Sequence, residues 1–370
     1  MPHMRSKLAL FCSGCFISLQ SIAAPSDLFL QAKDLINPSS SKLQLKFSAD
    51  AVNDTLDVFD IRESEGVSDK SMGDYQGFNL GAQYDFNPNW AIEGTYWHRK
   101  IEFSDDSNKI QSALLGVRYT PDLALKTSDA FTLRGSIWSN RADTLSKTSP
   151  TRVNQRTFNE VNVEDPEDFQ VQLDALFSRK LDHMNQLNAF VSLGYSKVEV
   201  NKLQIQATQQ GCLMNVNIDG SNQYSGNLAQ PCKTGNITVT DLKISGNASE
   251  FGLDMQQDLN YDAYFASIGA SWNWKYQNFE SQLAYQYQQL WRKDIDDRVS
   301  NFGSKAINYN QSLGLKLNYA FTPHLSAFLQ GELYQHNFIG QIPFLYNGVT
   351  ASRLDKRYGL ASIGLTLHSF

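Results

Sequence analysis

No stretch of this chain approaches 18 consecutive apolar residues, which excludes a membrane-spanning helix. Basic charge is also short. Thirty-two Lys and Arg stand against 38 Asp and Glu, a formal charge of −6 with no basic cluster, which argues against a nucleic-acid partner. Cysteine is scarce, at four residues, and histidine numbers six, so metal sites and His-based catalysis have few residues to draw on. What the chain does have is length and aromatics. Its 370 residues suffice for one large barrel or two ordinary domains, and 12% of them are Phe, Trp or Tyr.

The first residues read as an export signal. Arg5 and Lys7 precede an apolar stretch from Leu8 to Leu19, and Ser21 and Ala23 supply the small residues a signal peptidase reads. A signal peptide over 1–23, cleaved after Ala23, is expected, and function then lies outside the cytoplasm. Cys12 and Cys15 form a C-x-x-C that leaves with this segment. A lipoprotein reading at Cys15 is disfavoured, because Cys12 stands where such a signal carries Leu. Cys212 and Cys232 remain, and in an oxidising compartment two thiols 20 residues apart are expected to pair. Such a bridge restrains its loop by roughly 3 kcal/mol on the chain-entropy model.

After residue 41 the apolar residues recur at every second position, the period of a strand with one apolar and one polar face. Twelve such stretches are countable. They begin with Leu43–Ala51, Phe78–Phe86, Trp90–Tyr96, Ala113–Tyr119, Phe131–Ile137 and Phe169–Phe177. They continue with Leu187–Tyr195, Tyr264–Trp274, Phe279–Tyr287, Leu313–Tyr319, Leu325–Leu333 and the final Tyr358–Phe370. The links after even-numbered stretches are short: around Pro88, 121–128, 180–185, Tyr276 and Pro323. Those after odd-numbered stretches are long (53–75, 141–166, 201–259, 293–305 and 339–355), except 104–109. Beside the short turns, on the apolar parity, sit Tyr84, Phe86, Trp90, Tyr119, Phe131, Phe177, Trp272, Trp274, Phe279 and Tyr319, a girdle suited to a membrane interface.

An even strand count, turns short on one side and long on the other, an aromatic girdle and a last strand ending in Phe370 resemble the Gram-negative outer-membrane β-barrels. The resemblance implies an all-β fold, a transmembrane antiparallel up-and-down barrel of about 12 strands over 42–370, with both termini periplasmic and the long loops outside. It implies outer-membrane lipid and lipopolysaccharide as surroundings and the barrel-assembly machinery as a partner during insertion. Residues 24–41 form a periplasmic leader. Leu28, Leu35 and Ile36 suit one short amphipathic helix stopped at Asn37-Pro38, either tucked into the barrel mouth or free, the latter being the favoured expectation.

The parity opposite the apolar one is polar and must be wet or internally bonded. Its charged members, the expected pore-lining set, are Lys46, Asp50, Asp85, Glu93, Arg99, Arg118, Arg134, Asp174, Lys275, Glu280, Lys316 and Glu332. Both signs are balanced, so neither anion nor cation preference is expected. Arg118 and Arg134 facing Asp85 and Glu93 fit an open lumen that passes small polar solutes, or salt bridges inside a solid barrel. Twelve strands lie between small filled barrels and wide porins, which leaves both readings open.

The external loops add two features. Seven acids between Asp54 and Asp74 lack the spacing of a calcium loop and read as a solvated acidic segment. The 201–259 loop alternates around Ile237 and Val239, suggesting a hairpin beyond the membrane pinned by the disulfide. No catalytic set is evident, since a nucleophile needs an adjacent base and an orienting group. Only His98 and His336 sit toward the outer rim, and neither carries a Ser or Asp motif. The function expected is thus a porin-like channel without cofactor or metal; the alternatives are a non-conducting barrel acting through its loops as adhesin, receptor or structural protein, and, remotely, a lipid hydrolase at His98 or His336. A one-residue bulge at His368-Ser369 is expected, because Phe370 falls on the polar parity.

Overall fold

The computed structural model describes residues 27–36, 41–52, 75–103, 106–147, 151–153, 156–209, 211–301, 305–336, 340–348 and 358–369. The signal peptide, the acidic segment 54–74 and Phe370 lie outside the described residues. The chain opens with β1 (Leu43–Val52), β2 (Tyr75–Asn87), β3 (Trp90–Phe103), β4 (Asp106–Tyr119) and β5 (Asp129–Ala142). Three short strands follow, β6 (Thr144–Lys147), β7 (Thr151–Val153) and β8 (Arg156–Glu164), then the long pair β9 (Glu167–Lys180) and β10 (Asn185–Glu199). Next come β11 (Lys202–Gln209), β12 (Cys212–Asp219), β13 (Gln223–Leu228), β14 (Cys232–Thr234), β15 (Ile237–Val239) and β16 (Lys243–Asn247). The chain ends with β17 (Tyr261–Tyr276), β18 (Phe279–Arg292), β19 (Tyr309–Thr322), β20 (Leu325–Tyr334) and β21 (Tyr358–His368).

Twelve of these close on themselves in the order β1-β2-β3-β4-β5-β9-β10-β17-β18-β19-β20-β21, each antiparallel to its neighbours. They correspond one for one to the twelve alternating stretches of the sequence. Closure is made by β1 and β21, whose pairing runs from Gln44↔His368 to Ala51↔Ala361 without a register shift. The bulge expected at His368-Ser369 is therefore absent through His368, and Ser369 continues the contact through its amide to the Leu43 carbonyl at 2.8 Å.

Alternation fixes which face is which. Along β9, residues from Glu167 to Ser178 switch between outward and buried at every step. The outward positions are apolar: Leu173, Leu193, Ile268 and Ile363 are each at least 60% exposed. A water-soluble chain would bury such residues, so this belt is covered by lipid. Most barrel strands, at 13 to 16 residues, exceed the ~9–11 needed to cross a bilayer at a tilt, so these project beyond it. Around the short-turn end the rings touch in pairs, with centroids 5.1 Å apart for Tyr84–Phe86, 4.5 Å for Trp90–Tyr119 and 5.2 Å for Tyr319–Phe321. The turns use their own side chains. The carboxylate of Asp182 accepts from the amides of Met184 at 2.7 Å and Asn185 at 2.8 Å, and Thr322 Oγ1 does the same for His324 and Leu325.

At the long-loop end the hairpins continue into a second sheet, ordered β16-β13-β12-β11-β8-β6 with β7 also on β8. It is larger than the single hairpin expected from 201–259, because residues 144–164 join it. Its inner face, carrying Leu145, Val161, Val163, Leu203, Ile205, Met214 and Ile218, packs into the same core as Trp97, Ile110, Tyr261 and Phe265 of the barrel. The sheet thus folds over the mouth as a cap. The β14–β15 hairpin is tied to it by the Cys212–Cys232 disulfide, as expected.

Candidate functional site

The lumen is where the inward side chains meet, and it has three levels. At the short-turn end, the leader enters the barrel. Leu28, Ala32 and Ile36 are buried there, around a 3-10 turn at Asp27–Phe29 in place of the expected amphipathic helix. The leader is held inside rather than free, against the favoured expectation, because wall side chains bond its backbone. Beside it lies a polar vestibule of about 560 Å³ lined by Lys33, Asp34, Asp85, Glu280 and Lys316, among others.

The middle level is an ion-pair belt across β3, β4, β5 and β9. Arg134 reaches Glu93 at 2.5 Å and Asp174 at 2.8 Å, and Arg118 reaches Glu93 at 3.7 Å. Arg134 and Asp174 are buried, and Gln172 adds an amide bond to Asp174 at 2.6 Å. Arg118 also donates to the leader carbonyls of Gln31 and Ala32. The arginines therefore do not face an acidic wall across open water. They pair with Glu93 and Asp174, while Asp85 is bonded by Gln83, which is the salt-bridged reading for Arg118, Arg134 and Glu93.

The remaining members of the expected set are spread along the lumen. Lys46 and Lys316 flank the ring of Phe328, at 4.6 and 5.2 Å from its centroid. Asp50 is buried beside Ser48, Asp85 accepts from Gln83 at 2.9 Å, and Glu280 accepts from Asn273 at 3.2 Å. Lys275 closes its strand at the short-turn end, where its amide bonds the Met184 carbonyl. Arg99 is fully buried with its guanidinium 3.6 Å over Trp97 and donates to Ser112; Glu332 accepts from Gln330 and Tyr334. Arg99 and Glu332 belong to the third level.

That level is a loop, residues 340–348, turned into the mouth. Ile342, Phe344, Tyr346 and Asn347 have no exposed surface. Asn140 donates to the Gln341 carbonyl at 2.9 Å, and Tyr261 donates to the Pro343 carbonyl at 2.7 Å. The Phe344 amide donates to Asp168 at 3.3 Å, and the Gly348 amide to the Asp258 carbonyl at 2.9 Å. The Tyr346 hydroxyl donates to Asp296 at 2.9 Å and accepts from the Ile307 amide at 3.2 Å, with Arg292 stacked 3.8 Å over its ring. Burial pushes that phenol up to about 12, so it stays a donor at all ordinary pH. Arg99, Ser112 and Asn140 form a chain of bonds from the wall to this loop.

Sequence reasoning missed the apolar fillers on the polar parity. Phe190, Phe265 and Phe328 point inward, and each lies over a glycine on the adjacent strand: Gly269, Gly194 and Gly364. A Cβ at those glycines would come within 2.4 Å of the ring, so the pairs exist because one partner has no side chain. The signal was available as three large aromatics at positions where only polar residues were expected. His98 lies on the outside of β3 against Phe78, whereas His336 is buried inside against Tyr309, so the structure does not bring them together. Among the described residues no group of three His, Cys, Asp or Glu is placed to hold a metal ion.

Twelve closed strands, an apolar outer belt and polar inner positions decide the fold. It is that of an outer-membrane β-barrel. No family model and no curated protein matches the chain. Among solved structures it is similar to the translocator domain of the autotransporter NalP from Neisseria meningitidis, at TM-score 0.45 and 9% identity, over 90% of this chain and 91% of that one. It is similar also to the NanC porin, at TM-score 0.39 and 9% identity, over 88% of this chain and all of that one. The toluene transporter TodX of Pseudomonas putida matches at TM-score 0.33 and 10% identity, over 94% and 93%. Outer-membrane barrels of such varied use share little beyond closure, and the likeness carries no argument about what this one does.

Proposed function

We propose that this outer-membrane barrel is closed to free diffusion and works through its external sheet, as a surface-binding or envelope-structural protein. The observation that carries the reading is the inward loop 340–348, four of whose residues have no exposed surface and whose backbone is bonded from β5, β9 and β17. A porin in steady conduction needs water through that level. In this reading the termini are periplasmic and the capping sheet faces outward. Lipid and lipopolysaccharide surround the belt, and the chain inserts with the help of the barrel-assembly machinery. The outward sheet face is polar, with Gln204, Asn215, Asn217 and Asn227 exposed.

Single-channel recording in planar bilayers tests the closed state. Purified, folded protein should show no conductance steps, and replacing residues 340–348 and 27–36 together by short Gly-Ser links should create them. Steps from the unaltered chain overturn the proposal. A second reading, a gated channel for small polar solutes lined by the twelve charged residues named above, is supported by the 560 Å³ vestibule. It predicts rare, voltage- or ligand-dependent openings of the unaltered chain. Removal of residues 202–247 separates the two, since surface binding is lost while permeability is unchanged only in the first.

A further inference from the structure

The leader is gripped by its backbone. Gln282 donates to the Phe29 carbonyl at 3.4 Å, Arg118 to the carbonyls of Gln31 and Ala32, and Thr132 to that of Ala32 at 3.1 Å. Ser178 Oγ accepts from the Ala32 amide at 3.0 Å. Gln186 bonds twice, donating to the Lys33 carbonyl at 2.8 Å and accepting from the Leu35 amide at 2.7 Å. Lys180 donates to the Leu35 carbonyl at 3.1 Å. The Gln31 side chain is bonded in addition, by Asn273 at 3.1 Å.

Six wall residues from five strands thus read carbonyls and amides that every polypeptide possesses. Side-chain selection rests on three buried positions four residues apart, Leu28, Ala32 and Ile36, with Leu30 and Leu35 packed beside them and Gln31 bonded to Asn273. Leu28 lies over Gly314, where a Cβ would meet it at 2.5 Å, and Ala32 packs with Ala130, Leu176 and Phe190. The site is a cradle for irregular chain, not for a regular helix or an added strand, because the bonds come from side chains and not from a strand edge. The vestibule runs alongside from Gln31 to the turn residues Asn87, Pro88 and Asn89, leaving space through which a chain can enter or leave at this end.

We propose that the short-turn half of the lumen is a polypeptide-binding site, that the leader is its resident occupant, and that an unfolded segment of another chain takes the same place when the leader withdraws. The ligand class is a stretch of about ten residues with small or apolar side chains four apart, recognised by its main chain. A tethered occupant acts at an effective concentration near millimolar, so a free segment competes only once the leader is loosened. The site stands independently of whether the barrel conducts.

The test uses the full chain folded in detergent, with Leu28→Asp to expel the leader and heat-modifiable migration to establish that the barrel is formed. A fluorescein-labelled peptide of residues 27–36 is titrated by anisotropy. Affinity for the Leu28→Asp chain should exceed that for the unaltered chain by at least about tenfold. Replacing the exposed Lys33 of the peptide by Ser should leave binding within a few-fold. N-methylation at Ala32 and Leu35, or Gln186→Ala in the barrel, should weaken it by about tenfold or more, since each leaves a buried partner unmatched. If Leu28→Asp does not yield a formed barrel, a chain with 27–36 replaced by a Gly-Ser link takes its place. Equal affinity for the opened and unaltered chains, no binding to a formed opened barrel, or indifference to N-methylation overturns the proposal.

Discussion

The ion-pair belt offers the sharpest perturbation, Arg134→Met. Arg134 is 4% exposed, the Asp174 carboxylate has no exposure, and Glu93 has 15%. The four charges of Arg118, Glu93, Arg134 and Asp174 cancel. Removing Arg134 leaves Glu93 to Arg118 at 3.7 Å, but it leaves Asp174 with the Gln172 amide alone. An uncompensated buried charge of this kind costs about 3–5 kcal/mol, whereas exchanging a whole buried pair for apolar groups of like volume is neutral or stabilising by about 1–4 kcal/mol. Arg134→Met should therefore lose about 3–5 kcal/mol, and Arg134→Met with Asp174→Leu should recover most of it.

Urea unfolding of the protein in lipid vesicles, followed by tryptophan fluorescence, measures both, with an unchanged slope showing that the shift in midpoint is a change in stability. A single variant within about 1 kcal/mol of the parent, or a double variant no better than the single, would refute the argument, because either result means that water reaches Asp174. The same experiment bears on the lumen. A hydrated channel would screen the loss and a closed one would not.

Three further outcomes are expected. Substituting Cys212 and Cys232 by Ser should loosen β14 and β15 by roughly 3 kcal/mol, opening 229–242 to limited proteolysis while the barrel's heat-modifiable migration stays as it was. Gly269→Val places a Cβ 2.2 Å from the Phe190 ring and should cost about 1–3 kcal/mol by overpacking, largely relieved by adding Phe190→Ala; urea midpoints report both. Asp258, beneath the cap, has its carboxyl raised from 3.8 by burial, an effect that the Asp254 amide and Arg298 only partly offset. The folded state then binds more protons than the unfolded one just above pH 3.8, so stability declines as pH rises through that window up to the raised value. Hydrogen-exchange protection at Gly348, whose amide bonds the Asp258 carbonyl, should fall over the same range relative to the intrinsic base-catalysed rate, and this fall should vanish in Asp258→Asn.

The barrel was legible because a strand buried on one face writes its register into every second residue, and a slip of one would put Leu365 or Ile268 in the lumen. The disulfide was legible for a different reason, two cysteines left in the exported part of the chain. Partnership was not. Arg134 finds Glu93 and Asp174 through the order of three strands, which parity alone does not state. The joining of 144–164 to 202–247 is a contact between segments far apart in sequence, with only a weak local mark. The inward loop did carry a mark, the apolar run Ile342-Pro343-Phe344-Leu345-Tyr346 inside a link that otherwise reads as solvent-facing. Runs of that kind in an external loop need a surface to cover them, and here the barrel mouth supplies it.

Strand number explains why two chain segments, and not side chains alone, occupy the lumen. Eight strands leave an interior that side chains fill, and sixteen leave a channel. Twelve leave a space in which Phe190, Phe265, Phe328, Trp97 and Trp138 reach inward but leave the cross-section incomplete. The leader completes it at one end and residues 340–348 at the other. The two are held by different side chains: the leader by Ser178, Gln186 and Gln282, the loop by Asn140, Asp168 and Tyr261. Of these bonds, none is shared, so loosening one seal removes no bond from the other. Opening therefore requires two separate events, and a perturbation at either end leaves the barrel closed at its opposite level. A Leu28→Asp chain should bind peptide and still fail to conduct, whereas a conducting Leu28→Asp chain would mean that the inner loop is no seal.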